Sequence, residues 1–214
     1  MPPLPLVLAT RNAGKTQELR RLLAEFPVVI KNLADFGPTP SAEEDGLTFA
    51  ENAVKKARRT AKFLGLPSLA DDSGLAVQAL GGAPGVRSAR YAGEQASDAE
   101  NNAKLLRELR DVENRAAAFV CAIAIAVPWG PTLVYEGRCE GLIATEPAGT
   151  KGFGYDPIFF YPPLRQTFAQ LTTEEKNEVS HRGRALRELR NEFDQVLLWL
   201  RQRLTESGWQ WADP

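Results

Sequence analysis

Four clusters along this chain combine residue types that chemistry needs. The first is Thr10-Arg11-Asn12-Ala13-Gly14-Lys15, set between an apolar run from Leu4 to Ala9 and the helically spaced Leu19, Leu22, Leu23 and Phe26. A strand-to-helix loop of this kind turns free backbone N–H groups and the positive end of a helix dipole toward an anion, and Lys15 and Thr10 reinforce it. An ordinary strand-to-helix connection with a solvated lysine has the same composition. Ala9 to Thr16 also reads A-x-x-x-x-G-K-T, one residue from a P-loop, whose first position is glycine. The second cluster is Ala70-Asp71-Asp72-Ser73-Gly74, two adjacent carboxylates expected at the end of a strand over Ser68 to Ala70, with Glu43 and Glu44 offered by the preceding loop. Magnesium takes one or two carboxylates and completes its octahedron with phosphates and water, and one carboxylate can serve as base toward an attacking water. A solvated Asp-Asp turn beside an acidic surface loop is the alternative these residues alone leave open.

The third cluster, Gly149 to Pro157, reads GTKGFGYDP: glycines bracket aromatics that either stack on a nucleobase or plug the core from a tight turn. The fourth, Glu175 to Gly183, holds the only histidine and places Ser180 as the N-cap of a helix. His181 and Arg182 then fall in its first turn, where basic groups oppose the helix dipole unless an anion or a carbonyl-bearing base repays them.

These clusters need elements to hold them. The apolar run at Leu4 starts a strand, Val28 to Ile30 a second, and a turn-rich segment over 32–47 precedes a capping box, Thr48 with Glu51, that opens an alanine-striped helix ending before Gly65. Leu75 to Leu80 is expected as a further strand, and Ser97 with Glu100 caps a helix through Leu109. Ala116 to Val127 and Leu133 to Ile143 form a hairpin across Pro128-Trp129-Gly130-Pro131, and Leu186 to Leu204 trace one long amphipathic helix. Alternating strands and helices interrupted by a hairpin predict an α/β fold with a mixed, partly antiparallel sheet flanked by helices. Residues 1–206 are expected to form one domain, with 207–214 as a tail.

The composition bounds the partners. The 214 residues, 43% hydrophobic and 25% charged, are enough to bury a sizeable core. A net charge of −1 provides no global field to recruit nucleic acid or a membrane surface, so an anionic ligand must be held locally. Cys121 and Cys139 lack metal-ligand spacing, and the N-terminal stretch lacks the pattern of a signal peptide, so a reduced, cytoplasmic protein is expected.

Taken in order, ATRNAGKTQEL, EEDGLTFAENAVKKA, ADDSGLAVQALGGAPGVRSARYAG, EPAGTKGFGYDPIFF and LTTEEKNEVSHRGRAL resemble the inosine triphosphate pyrophosphatase family, whose bacterial members are called dITP/XTP pyrophosphatases. The resemblance runs from about Leu6 to Leu200. It implies two lobes with the active site in the cleft between them, a homodimer, a required Mg2+ ion and hydrolysis of non-standard purine nucleoside triphosphates to the monophosphate and pyrophosphate. Carried over by position, Thr10, Arg11, Asn12, Ala13, Gly14 and Lys15 would hold the phosphates with Lys56. Glu44 and Asp72 would bind the metal, and Asp72 would act on the water. Ser73, Phe153, Gly154, Tyr155, Asp156, Lys176, His181 and Arg182 match substrate positions, with Phe153 stacking on the base. Arg11 departs from the small or polar residue common at its position, and the choice between Glu43 and Glu44 stays open. A P-loop phosphohydrolase or kinase and a nucleotide-binding regulator without catalysis are the competing readings.

Overall fold

A computed structural model of the chain describes residues 2–40 and 42–206; the 207–214 tail lies outside the described residues. Its strands are β1 (Leu4–Leu8), β2 (Val28–Asn32), β3 (Ser68–Val77), β4 (Ala116–Ala126), β5 (Thr132–Ile143), β6 (Phe159–Tyr161) and β7 (Gln166–Thr167). They make one open mixed sheet in the order β2-β1-β3-β4-β5-β6-β7. β1 runs parallel to β2 and β3, and the pairs from β3 onward are antiparallel. The α-helices are α1 (Ala13–Leu22), α2 (Phe49–Leu64), α3 (Asp98–Glu108), α4 (Thr173–Val179), α5 (His181–Asn191) and α6 (Phe193–Glu206). The expected α/β class and the hairpin are both present.

Two expectations are corrected. Ser68 to Ala70 and Leu75 to Leu80 are not separate strands: β3 runs unbroken through Asp71 and Asp72, paired with β4 from Ser68↔Ala126 to Val77↔Ala117. The polar residues stay in the strand because each carboxylate finds cationic partners. The single amphipathic helix expected over Leu186 to Leu204 is two helices, α5 and α6, separated at Glu192. The apolar stripe crosses this break because Leu186, Leu189, Phe193, Val196, Leu197, Leu200 and Leu204 all enter the same cluster.

Alternation along the strands assigns the faces. On one face Ala70, Ala122, Ala124 and Ala126 pack against Ala53, Ala57 and Ala61 of α2. Methyl groups on both sides bring the helix close to the sheet, within reach of Asn52 and Lys56. Thr48 caps this helix by accepting from the Glu51 N–H at 3.1 Å, and Glu51 reaches past the cap to the Leu47 N–H at 2.7 Å. Two clusters share the opposite face. Leu69, Cys121, Ile123 and Ile125 pack with α5 and α6 in one, and Phe119, Phe159 and Phe168 pack with Leu105 and Leu109 in the other.

Candidate active site

Adjacent residues of a strand point to opposite faces, so Asp71 and Asp72 serve two different neighbourhoods. Asp72 faces α2: its Oδ1 accepts from Lys56 Nζ at 2.8 Å and its Oδ2 from Asn52 Nδ2 at 3.2 Å. Lys56 Nζ also lies 3.0 Å from Glu44 Oε1, so one ammonium rests between the two carboxylates. Burial raises Asp72 above the ordinary carboxylate value despite Lys56 and Asn52. For Lys56 the order is reversed: burial works against its charge, and Asp72 and Glu44 outweigh burial.

Asp71 is 8% exposed and faces the other side, where Oδ2 accepts from Lys15 Nζ at 2.7 Å and from Arg182 Nη1 at 2.5 Å. Burial opposes its ionisation, but Arg182 and Lys15 prevail and hold its carboxyl below the usual range. Arg182 Nε is bound to Glu18 Oε2 at 3.0 Å. One buried carboxylate on β3 thus gathers Lys15 of α1 and Arg182 of α5, and the Arg182–Glu18 pair links the two helices directly. Asn12 caps α1 by accepting from the Lys15 N–H at 3.1 Å, which starts the helix where Lys15 can turn toward β3.

A cleft of about 1360 Å³ opens over Asp71, Ser73 and Phe119, between the two apolar clusters. Asn12, Gly14 and Lys15 line one part of it, and Phe153, Asp156, Lys176 and His181 line another. Phe153 is 74% exposed, and Lys176 Nζ stands 4.6 Å from its ring centroid. Lys176 is also paired with the buried Asp156, whose carboxyl burial nevertheless raises above the ordinary value. His181 stacks on Phe119, with centroids 4.7 Å apart and ring planes 12° apart. Burial, aided by the Lys176 and Arg182 charges, pushes its imidazole down to about 3, so the ring is neutral near pH 7. Its Nδ1 is buried without a partner among the described residues. A neutral ring lining the cleft offers one N–H donor to a ligand there.

The predicted residues divide: eleven line this cleft, three stand on the other side of β3, and the rest shape the loop before α1. Asn12, Gly14, Lys15, Ser73, Phe153, Gly154, Tyr155, Asp156, Lys176, His181 and Arg182 line it. Tyr155 is buried and donates to the Ser88 carbonyl at 2.9 Å, so its ring belongs to the core. Glu44, Lys56 and Asp72 form their group on the α2 side of β3. Thr10 Oγ1 accepts from the Asn12 N–H at 3.2 Å and shapes the loop, and Ala13 begins α1. Arg11 donates to the Gly37 carbonyl at 2.8 Å and ties the loop before α1 to the turn after β2. Sequence reasoning treated Asp71 only as half of an Asp-Asp pair, and it did not single out Glu18, Asn52, Asp98 or Asn102. The period-2 alternation through the carboxylates was the available signal for Asp71; no local pattern marks the others.

The residues present fit a magnesium ion. The ammonium of Lys56 already occupies a place between two carboxylates, and hard oxygen donors are what this cation prefers. No cluster of three or more histidine, cysteine or acidic side chains suited to a metal occurs among the described residues; magnesium does not require one, because phosphates and water supply its remaining ligands.

Comparison with known proteins gives a consistent picture. The Ham1 family model matches residues 6–192. A dITP/XTP pyrophosphatase of Syntrophobacter fumaroxidans is 61% identical over 95% of this chain and 88% of its own length. One from Shigella flexneri is 56% identical over 85% of this chain and 94% of its own. Among solved structures, a HAM1 protein from Coxiella burnetii superposes with a TM-score of 0.86 at 46% identity, covering 90% of this chain and 99% of that one.

Proposed function

The chain belongs to the Ham1 family, and from that premise we infer that it is an enzyme, a dITP/XTP pyrophosphatase that hydrolyses non-standard purine nucleoside triphosphates to the monophosphate and pyrophosphate. The observation that carries this reading is one cleft lined both by the cations of Lys15, Lys176 and Arg182 and by the exposed ring of Phe153. Cations suit a polyphosphate, and the ring suits a base.

In this reading the triphosphate lies against the backbone N–H groups of Arg11, Ala13 and Gly14 and the side chains of Thr10, Lys15 and Lys56. A water molecule attacks the α-phosphorus, its proton passes to Asp72, and the bond from that phosphorus to the bridging oxygen breaks, so that pyrophosphate leaves with the electron pair. Asp72 is suited to accept the proton because burial raises its proton affinity toward the operating pH. Glu44 and Asp72 would hold magnesium, which neutralises phosphate charge when bound. Lys15 and Lys56 stabilise the departing pyrophosphate. Phe153 stacks on the base, a contact worth ~1–3 kcal/mol. His181, neutral and lining the cleft, donates through its ring N–H to a 6-oxo group. An adenine 6-amino group would leave that donor unpaired at a cost of ~1–3 kcal/mol.

The reading takes residues 1–206 as one two-lobed domain, Glu44 rather than Glu43 as the metal ligand, and a cytoplasmic homodimer as the working form. No helix among the described residues is long and apolar enough to cross a membrane.

The test is a panel of ITP, dITP, XTP, ATP and GTP with magnesium present or chelated, reading pyrophosphate and orthophosphate separately. The 6-oxo, non-standard nucleotides should give pyrophosphate only with magnesium, and Asp72→Asn should lower kcat about 10²–10⁴-fold with its melting curve retained. Orthophosphate as the product would restore the P-loop reading, absence of any turnover the regulator reading, and full activity in Asp72→Asn would remove its role as base.

A further inference from the structure

Phe153 is 74% exposed, and the one cation over its ring among the described residues is the Lys176 ammonium. An exposed ring is placed chiefly by its backbone, held on one side by Asp156, whose Oδ2 accepts the Phe153 N–H at 2.8 Å, and on the other by what holds Gly154. Gly152 and Gly154 flank it at φ 77° and 61°, a region where glycine moves freely unless its peptide groups are held. Gly154 has no side chain to anchor it, so its N–H and C=O are the only handles. Both are taken by one helix. Gly154 N–H donates to Asp98 Oδ2 at 2.6 Å, and Asn102 Nδ2 donates to the Gly154 carbonyl at 3.1 Å. Asp98 and Asn102 are four residues apart and so share a face of α3.

We propose that Asp98 and Asn102 are positioning residues for nucleotide binding: α3 grips Gly154 by both peptide groups and so fixes the attitude of the Phe153 ring. The proposal rests on the stacking role given to Phe153 above. Helix architecture accounts for Asp98 only in part, since a carboxylate in the first turn of α3 suits the helix dipole, and it does not account for Asn102. The capping box of α3 is completed by Ser97 and Glu100, without Asp98. Asn102 is 7% exposed and its Oδ1 is buried with no partner among the described residues, so this side chain leaves one hydrogen bond unmade while making one, to Gly154. A leucine, branched in the same way, would suit the helix better if the helix were all that mattered. The gripping helix is itself held: Asn101 accepts from the Ala92 N–H at 2.7 Å and donates to the Ala89 carbonyl at 3.2 Å, and Lys104 donates to the Tyr91 carbonyl at 2.7 Å. Ala89 and its neighbour Ser88 line the same cleft, and Ser88 receives the Tyr155 hydroxyl, so α3 carries both its own wall and the aromatic loop opposite.

The experiment is a double-mutant cycle on the full chain with dITP. Asp98→Ala and Asn102→Leu should each raise KM about fivefold with kcat held within about twofold, which is the worth of one hydrogen bond. Asp98→Asn, which keeps an acceptor for the Gly154 N–H, should restore most of the loss. In a Phe153→Ala background neither substitution should raise KM further, because the ring they position is gone. Additive KM effects in that background overturn the proposal while leaving the stacking role intact, as does an unchanged KM in both single variants. If Phe153→Ala alone leaves KM unchanged, the stacking role fails; any KM rise in Asp98→Ala would then act without the ring and overturn the proposal with it. Asn102→Leu guards against a folding artefact: removing the orphaned oxygen should leave its melting temperature at or above that of the parent.

Discussion

A buried imidazole kept neutral makes folding sensitive to acid. In the unfolded chain His181 takes a proton near its ordinary value of 6.5, while in the folded protein it does so only near 3. Above about pH 6.5 both states leave it neutral and nothing is lost. As pH falls from there toward 3, the unfolded chain binds a proton that the folded one refuses, so stability declines. Asp72 and Asp156, held above their ordinary values by burial, bind protons more readily when folded and work in the opposite direction; Asp71, held below, adds its own loss further into acid. With one histidine in the chain, a single substitution separates these contributions. His181→Phe preserves a ring over Phe119 and removes the titration, so its melting temperature should fall less than that of the parent between pH 7.5 and 5.5. Equal declines would mean that the histidine is not held neutral. At this scale the sequence was legible wherever a residue acts where it sits, as with Lys15, Phe153 and the N-cap Ser180. The division of labour between Asp71 and Asp72 was not, because a polar DDSG looks like the end of a strand until cations from α1, α2 and α5 are placed around it.

The start of α5 lands on the sheet with almost no space between backbones. A Cβ on Gly183 would strike the Asn177 carbonyl, and one on Gly137 of β5 would strike the His181 carbonyl and the Ala185 nitrogen. These are backbone atoms, which cannot swing aside as a side chain would, so relief has to move the α4–α5 junction that carries Lys176, His181 and Arg182. Gly137→Ala is therefore expected to cost about 1–3 kcal/mol through overpacking and, at temperatures where the protein stays folded, to raise KM. Gly65→Ala is the control. It sits at φ 66° at the end of α2 with nothing near a Cβ, so it should lower the melting temperature through backbone strain alone and leave KM unchanged. A Gly137→Ala enzyme that loses stability with no change in KM would show that the landing of α5 does not set the site. Elements bounded by their own chemistry were readable from sequence: Thr48 and Ser97 start helices, and Gly65 ends one. The break at Glu192 was not, since an apolar stripe that keeps its register across two helices has the same periodicity as one helix.

At the scale of the whole molecule, the cleft lies between two apolar clusters that do not fold on separate pieces of chain. β4 gives Ala117 and Phe119 to one and Cys121, Ile123 and Ile125 to the other; β5 gives Cys139 and Ile143 to the first and Tyr135 to the second. Separating the clusters would mean breaking a ladder that pairs β4 with β5 continuously from Ala116↔Leu142 to Ala126↔Thr132. The early alternation and later hairpin in the sequence predicted a mixed sheet, but the placing of β1 between β2 and β3, which brings Lys15 beside Asp71, depends on pairings with no local signature. From this continuity we predict a single cooperative unfolding transition. Hydrogen exchange followed by peptide mass in increasing urea should lose protection at Leu186–Leu204 and at Phe159–Phe168 with one midpoint, and near-UV circular dichroism should coincide with both. A tightly bound substrate analogue should move that one midpoint upward without splitting it, because a ligand seated between the clusters binds only when both are formed. Two midpoints, with the ligand shifting one and sparing the other, would show instead that the long strands fail to couple the walls of the cleft, and that the site assembles from parts that fold independently.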